Sequence, residues 1–294
     1  MANVLTFTPT FGGAMRAETV GSVSEAIAAF EGTAHHEVSY HNPHGPGDWR
    51  NVQAQFERAW GLCLAGGYDA LWLVEHDMQV PRHALQTMYY TNAPVVYGVY
   101  LFRHKSWTLS AFRYDGDVNV GMSLMQYPQD LDQAWKAGQW DVSGVGFGCT
   151  LIRRDVLERI KPRGGTDADR YPDLPFARDC VRQHVRQVAR MDVQCLHWCE
   201  DVQMWLHPKI HSVGKLMLVE ALQNVNIGAQ GQTVHMEAGK EYELPVDVAH
   251  DAERAGFVRV VASAAEIKAA KVADEKPDAV TKRTPIKSKA SKAG

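Results

Sequence analysis

The chain has 294 residues, of which 45% are hydrophobic and 22% charged, and its formal net charge is -3. This length and composition are those of a globular protein with one large domain, or with one large and one small domain. The near-neutral charge excludes a polycation, and no run of the sequence approaches the ~18 apolar residues that a membrane helix needs.

The N-terminal sequence has no basic segment ahead of an apolar one, and the five cysteines are scattered through the chain. An odd number of scattered cysteines is typical of reduced thiols rather than of a disulfide framework. We therefore expect a soluble protein of the cytoplasm.

The first eighty residues alternate between predicted strands and predicted helices. Apolar residues at helical spacing, such as Val23 and Ile27, predict the helices, and Gly66-Gly67 is a natural end for the second helix. The predicted strands are residues 3–8, 37–40 and 71–74, and the predicted helices are residues 17–30 and 51–64. This order predicts a parallel α/β sheet with helices on its faces.

The remainder of the chain changes character twice. The pattern predicts a strand at 94–102, a glycine-rich turn before a strand and helix at 142–160, a helix at 200–213 and a strand at 215–220. Residues 233–262 are typical of a small strand–turn–helix–strand module, and residues 263–294, rich in Ala, Lys, Ser and Pro, predict a disordered basic tail. The expected domain boundaries are therefore 1–232, 233–262 and 263–294.

The segment LWLVEHDMQVP at 71–81 runs from four apolar residues directly into Glu75, His76 and Asp77. In an open α/β sheet, ligands bind beyond the carboxyl ends of the strands. Two carboxylates one residue apart on an extended segment point the same way, so both can approach one Mn²⁺ or Mg²⁺ ion. The alternative is a strand that ends in a solvated acidic turn.

Several segments, in chain order, resemble the GT-A glycosyltransferases, in particular their family-2-like branch in bacteria and phages. The strand into TPTFGG is similar to the family's nucleotide-binding start, and Arg50-Asn51 opens the helix before the metal strand. LWLVEHDMQVP resembles the family's strand into an Asp-x-Asp motif, with Glu75 in place of the first Asp. The glycine-rich segment, Glu200-Asp201 and the segment to residue 228 follow in the family's order.

This resemblance covers residues 3–230 and implies an α/β GT-A fold. Such a fold has a Rossmann-like, mixed, mostly parallel sheet with helices on both faces, here followed by a small C-terminal α+β module. It implies metal-dependent transfer of a hexose from a nucleotide-sugar, with a UDP-sugar favoured as donor and inversion expected.

The resemblance also implies roles for the residues around the metal strand. Asp77 is the first metal ligand, and Glu75 binds the metal directly or holds a metal water or the ribose. Arg50 would contact the diphosphate, since a planar guanidinium binds oxyanions in pairs, although a surface ion pair explains it equally. The other predicted donor-binding residues, for which strand ends and ordinary turns are the alternative, are Thr8, Pro9, Thr10, Asn51, His76, Gly144, Gly146 and Gly148.

Glu200 and Asp201 stand where the family places the carboxylate that activates the acceptor hydroxyl. Asp201 is preferred as the residue that takes the proton, and the alternative is an acidic residue that interacts with a helix dipole. Many relatives complete the metal site with a His at the position of Asn226. Asn226 still offers a carbonyl oxygen, and His235 is a second candidate for this third ligand.

The sequence CLHWC spaces Cys195, His197 and Cys199 at alternate positions. A zinc site would need a second pair of ligands, although Cys180 lies upstream. Buried thiols beside a strand are the interpretation that we prefer.

Arg182, Arg186 and Arg190 recur every fourth residue and would share one face of a helix. Together with the basic tail they favour a polyanionic acceptor, and hydroxymethylated pyrimidines in phage DNA fit that description if the base turns out of the stack. Such an enzyme would work in the host cytoplasm. The alternatives are a solvated helix face, a polysaccharide or lipid-linked glycan acceptor, a nucleotidyltransferase, and a non-catalytic nucleotide- or nucleic-acid-binding protein.

Overall fold

The structure is a computed structural model that describes residues 2–12, 14–45, 48–103, 108–114, 116, 120–164, 171–201, 203–208, 216–229, 232–245, 248–249, 252–253 and 255–262. The predicted tail at 263–294 lies outside the described residues. The strands are β1 Asn3–Pro9, β2 Thr33–Ser39, β3 Ala70–Val74, β4 Met78–Gln79, β5 Val95–Val99, β6 Phe112–Arg113, β7 Gln139–Gly144, β8 Cys149–Arg153, β9 Gln187–Gln194, β10 Leu196–Cys199, β11 Met204–Leu206, β12 Leu216–Ala221, β13 Val225–Ala229, β14 Gln232–Met236, β15 Glu241–Pro245 and β16 Val258–Ala262. The helices are α1 Ala17–Ala28, α2 Arg50–Ala65, α3 Ala84–Tyr90, α4 Pro128–Ala137, α5 Arg154–Arg159 and α6 Asp173–Arg182.

Eight of the described strands form the central sheet, in the order β2-β1-β3-β8-β5-β9-β7-β6. β1 pairs in parallel with β2 and β3, and β5 pairs in parallel with β9. β8 runs antiparallel between β3 and β5, and β7 runs antiparallel to β9. The predicted α/β class with a large, mostly parallel sheet is confirmed.

Both faces of this sheet are covered, because every residue of β3 and of β5 is buried. A half-exposed strand would alternate, whereas these strands are apolar throughout. On one side α2 contacts α5, and on the other α1 contacts α3. Helix α2 ends at Ala65, directly before the predicted Gly66-Gly67 pair, and Gly67 has a φ of 67° that suits glycine.

A small second sheet lies beside the end of β3, with the order β11-β10-β4. β4 directly follows the acidic segment at residues 75–77, and His197 of β10 pairs with Met78 of β4. The pairing of β10 with β4 therefore brings a distant part of the chain next to Glu75 and Asp77.

Two predicted helices are wrong. Residues 204–206, inside the predicted helix at 200–213, form strand β11, which pairs with β10. The predicted arginine helix is also wrong, because α6 ends at Arg182 and strand β9 begins at Gln187. Only Arg182 of the three arginines is helical, so they do not share one helix face. Helix α4 was not predicted in the polar stretch before residue 140.

The chain divides into two units, Met1–Ile210 with Gln230–Thr233, and His211–Ala229 with Val234–Gly294. The sequence analysis placed the boundary at residue 232. The second unit begins earlier because its strand β12 pairs with β15 and β16. This unit has its own apolar core, which includes Val219 and Leu244.

Candidate metal centre

The acidic segment leaves strand β3 at Val74 and turns at once rather than continuing as extended chain. The amide of Glu75 donates to the carbonyl of Gly148 at 3.0 Å, and the amide of Met78 donates to the carbonyl of Glu75 at 3.2 Å. The carbonyl of His76 accepts from Thr19 Oγ1 at 3.0 Å. The turn is therefore held from both sides, and Glu75 and Asp77 are brought together by the turn and not by strand alternation.

His197 joins the two carboxylates. One ligand atom from each of Glu75, Asp77 and His197 lies within 4.8 Å of the others. His197 Nδ1 is 2.7 Å from the carbonyl oxygen of Leu101, and because a carbonyl can only accept, Nδ1 carries a proton. Its Nε2 is thereby directed at Asp77, 3.6 Å from Oδ2. A histidine anchored through one nitrogen to a backbone carbonyl is the usual arrangement of a metal ligand.

The same atoms lack hydrogen-bond partners, although Arg103 forms an ion pair with Asp77. Within the described chain, both carboxylate oxygens of Asp77 and Nε2 of His197 are buried and form no hydrogen bond. Asp77 and His197 are only 3% and 4% exposed, so solvent does not compensate. Buried polar atoms without partners are rare, and a divalent cation that accepts two carboxylates and one imidazole would satisfy all of them. The residues present therefore fit a metal ion.

The electrostatics of the two carboxylates differ. Burial, followed by the negative charge of Asp77, raises the pKa of Glu75 to about 8. Burial by itself would raise the pKa of Asp77 as well, but the proximity of His197 and of Arg103 outweighs it and lowers that pKa to about 2. Near neutral pH the pair therefore holds a proton on Glu75 and a negative charge on Asp77.

Three residues that the sequence analysis did not assign border this centre. Arg103 Nη1 is 2.7 Å from Asp77 Oδ2. The ring of Tyr100 is edge-on to His197 at a centroid distance of 5.3 Å, and its hydroxyl accepts from the amide of Gly148 at 3.2 Å. Burial raises the pKa of Asp173, whose charge in turn contributes to the raised pKa of Tyr100 and Glu75.

Gly144 ends strand β7, Gly146 and Gly148 lie in the turn before β8, and all three lie against protein side chains. A Cβ at Gly146 would lie 2.3 Å from the Tyr100 hydroxyl, and one at Gly148 would lie 2.8 Å from Tyr100 Cζ. A Cβ at Gly144 would lie 2.5 Å from Cβ of Ala177. These glycines are therefore needed for the close packing of Tyr100 and α6, and their contact with a donor stays a prediction.

Thr8, Pro9 and Thr10 lie at the carboxyl end of β1, the neighbour of β3. Thr8 Oγ1 is 3.0 Å from His36 Nε2, and the Thr10 hydroxyl donates to the carbonyl of Ser39 at 2.7 Å. Both threonines are buried, so their side chains hold β1 to β2.

Arg50 and Asn51 begin helix α2. The Arg50 guanidinium binds Asp48, with Nη2 2.5 Å from Oδ2, and Arg50 is exposed. Asn51 is buried and closes the preceding loop, since Nδ2 donates to the carbonyl of Gly45 at 2.6 Å and Oδ1 accepts from the amide of His44. Donor binding by these two residues stays a prediction.

Glu200 and Asp201 lie at the turn between β10 and β11. Glu200 accepts from Arg16 Nη2 at 2.7 Å and from Gln203 Nε2 at 2.9 Å. The same guanidinium lies over the Trp198 ring, 3.6 Å from its centroid. Glu200 thus connects the start of α1 to the strand that carries His197, while Asp201 is exposed.

Asn226 and His235 lie in the second unit, where His235 Nδ1 is 2.6 Å from Asn226 Oδ1. Both are exposed, and their role as metal ligands stays a prediction. All five cysteines are buried and free, which confirms the interpretation of CLHWC as buried thiols. Its histidine, which the sequence analysis did not assign to the metal site, nevertheless faces the two carboxylates.

The three arginines predicted to bind a polyanion are each within 3.6 Å of a carboxylate. Arg182 lies 3.6 Å from Asp179. Arg186 lies 2.8 Å from Asp141, and Arg190 lies 2.6 Å from Asp192. Their charges are locally offset, so these three arginines do not form a stripe of unpaired cations; the basic tail lies outside the described residues.

No protein-family model and no curated protein matches the chain. Among solved structures it is similar to A197 from STIV, at 18% identity and a TM-score of 0.43, over 72% of this chain and 97% of that one. It is also similar to a glycosyltransferase involved in the glycosylation of the major capsid of PBCV-1, at 12% identity and a TM-score of 0.33, over 64% of this chain and 81% of that one. None of the helices in the described ranges has the length and apolar character needed to cross a membrane.

Proposed function

We propose that this protein is a metal-dependent glycosyltransferase that moves a hexose from a nucleoside diphosphate sugar to an acceptor hydroxyl. The observation that carries the proposal is the cluster of Glu75, Asp77 and His197 beyond the end of β3, in which the ligand atoms of Asp77 and His197 are buried and form no hydrogen bond in the described structure. A cation site at the carboxyl end of a central strand is where an α/β sheet binds a phosphorylated ligand.

Glu75, Asp77 and His197 would hold the metal, and two carboxylates with one imidazole suit Mn²⁺ better than Mg²⁺. When bound, the metal supplies Lewis-acid stabilisation of the negative charge that develops on a diphosphate leaving group. The backbone carbonyl of Leu101 fixes the orientation of His197, and the carbonyl of Gly148 fixes the start of the acidic turn. The protein thus contributes a preorganised site, in which little needs to move during the reaction.

The transfer also requires a base for the acceptor hydroxyl. As the acceptor oxygen forms its bond to the anomeric carbon, the bond from that carbon to the diphosphate breaks and the hydroxyl proton passes to a carboxylate. Glu200 is a poor candidate, because Arg16 lowers its pKa. We favour Asp173 over the predicted Asp201, because Asp173 borders Gly146 beside Tyr100 and burial raises its pKa.

The arginines outside the metal centre bear on the class of acceptor. Since Arg182, Arg186 and Arg190 are paired with carboxylates, hydroxymethylated DNA loses the support of an unpaired arginine stripe. A carbohydrate acceptor needs no cationic surface, and we therefore favour a glycan over DNA as the acceptor class.

Calorimetric titration with UDP, with and without Mn²⁺, tests the proposal. We expect wild-type protein to bind UDP at least about tenfold more tightly with Mn²⁺, and Asp77→Asn to abolish that gain while the thermal unfolding temperature stays above the assay temperature. Asp132→Asn, an exposed carboxylate paired with Lys136, is the matched control and should retain the gain. Release of UDP from UDP-hexoses in the presence of glycan acceptors then reports turnover.

Equal UDP affinity with and without the metal would contradict the proposal and favour a non-catalytic binding protein. Release of pyrophosphate from a nucleoside triphosphate, detected by a coupled assay, would instead identify a nucleotidyltransferase.

A further inference from the structure

Arg103 is an arginine that forms an ion pair with Asp77 of the candidate metal centre. Its Nη1 lies 2.7 Å from Oδ2 of Asp77, whose side chain is 4% exposed, whereas the side chain of Arg103 is 43% exposed. One end of this ion pair is therefore buried among the candidate metal ligands, and the other faces solvent.

The backbone around Arg103 is anchored. The amide of Phe102 donates to the carbonyl of Thr108 at 2.9 Å, and the amide of Ser110 donates to the carbonyl of Tyr100 at 2.9 Å. Leu101, in the same segment, accepts the hydrogen bond from His197 Nδ1. The segment that orients His197 therefore also carries Arg103.

The ion pair does not satisfy its carboxylate. Asp77 Oδ2 forms no hydrogen bond within the described residues, so Arg103 supplies charge at a close distance without a directed N–H···O contact. The guanidinium has five N–H donors in a planar fork, which suits phosphate oxygens. By contrast, Nε and Nη2 of Arg50 are hydrogen-bonded to Asp48.

We propose that Arg103, rather than the predicted Arg50, binds the diphosphate of the donor; this inference rests on the proposed function. An arginine that binds the diphosphate can be distinguished experimentally from one that serves only as an ion-pair partner of Asp77. Because its positive charge lies beside a metal ligand, Arg103 opposes a divalent cation at Asp77 and favours an anion in front of it. Loss of Arg103 should therefore weaken diphosphate binding without weakening binding of the metal alone.

The test compares wild type, Arg103→Gln, Arg103→Lys and Arg113→Gln of the full chain. Arg113 is the matched control, because its guanidinium is 41% exposed and lies 2.7 Å from Asp130. Four probes are titrated separately: Mn²⁺ alone, and inorganic pyrophosphate, UDP and uridine in the presence of Mn²⁺.

We expect Arg103→Gln to weaken pyrophosphate and UDP about ten- to hundredfold, as for the loss of a hydrogen-bonded ion pair. Its affinity for Mn²⁺ alone should equal or exceed that of wild type, and uridine should bind as to wild type. Arg103→Lys, which keeps the charge but not the fork, should show a smaller loss, and Arg113→Gln should show none. If Arg103→Gln does not fold, the loss of pyrophosphate and UDP affinity in Arg103→Lys tests the inference instead.

Two results would overturn the inference while the proposed function stands. One is UDP affinity within about twofold of wild type in both Arg103 variants. The other is a loss of Mn²⁺ affinity that accounts for the whole loss of UDP affinity, since Arg103 would then only maintain the cation site. Absence of Mn²⁺-dependent UDP binding in the wild type would instead overturn the proposed function, and this inference with it.

Discussion

Glu75 and Asp77 are one residue apart, yet their surroundings move their pKa values in opposite directions. Burial and the charge of Asp77 raise the pKa of Glu75, whereas His197 and Arg103 keep Asp77 ionised. Two neighbouring carboxylates, one buried and one half-buried, would repel each other at close range if both were charged, so only one of them carries a charge. A metal ion would allow both to ionise, because its charge offsets theirs.

Asp173 is the carboxylate that we propose as the base for the acceptor hydroxyl. Asp173→Asn should lower kcat about a hundred- to ten-thousandfold, because the amide cannot accept the acceptor proton, while Mn²⁺-dependent UDP affinity stays near that of wild type. Steady-state kinetics and the UDP titration measure the two quantities. Asp132→Asn serves as the control.

Asp201→Asn distinguishes the two candidates for this role. If it abolishes turnover while Asp173→Asn does not, the predicted residue is the base after all. If neither variant changes kcat, the acceptor is not activated by either carboxylate.

His197 lies in the hairpin of β10 and β11, whose turn and second strand fall inside the helix predicted at 200–213. The hairpin turn places Gln203 at a φ of 52°, and Gln203 Nε2 donates to the carbonyl of Glu200 at 2.8 Å. Trp198 and Trp205 face each other across the strands at 5.5 Å between ring centroids. Cross-strand packing of this kind outweighs a local helical pattern.

Strand β5 shows how closely the centre of the sheet is packed. A Cβ at Gly98 would lie 2.9 Å from Cys195 Sγ and 3.0 Å from Cys149 Sγ. We expect Gly98→Ala to lower the free energy of unfolding by about 1–3 kcal/mol through overpacking, as measured by urea denaturation.

Gly61 of helix α2 is the matched control for this substitution, because a Cβ there meets nothing within 4 Å. Gly61→Ala should raise the free energy of unfolding by up to about 1 kcal/mol, since alanine favours a helix. A Gly98→Ala protein as stable as wild type would show that the two thiols do not flank β5 as described.

At the scale of the whole molecule, the second unit has an apolar core of its own, separate from that of the central sheet. Leu244 of β15 is fully buried in this core. Leu244→Ala should lower the free energy of unfolding of the second unit by about 2–5 kcal/mol, because the lost methyl groups leave a cavity.

Urea denaturation should then show an early transition for the second unit, and a second transition at the wild-type midpoint for the unit that holds the metal centre. Leu222→Ala is the control, because Leu222 is 51% exposed in the wild type and its truncation should change stability by less than about 0.5 kcal/mol. A single transition that shifts as a whole in Leu244→Ala would show that the two units unfold together.

Apolar periodicity in the sequence was enough to predict the alternation of strands and helices up to β3. It also predicted that this apolar strand leads into Glu75 and Asp77, and hence the end of the sheet at which a cation could bind. These features are local, because they depend on the period of apolar residues and on glycines at helix ends. Tertiary structure alone decided that His197, Arg103 and Asp173 border that site. Strand pairing and loop contacts bring these residues to the site from 26 to 120 residues away from Asp77 in the chain. The periodicity of apolar residues is a local pattern and does not predict such long-range contacts.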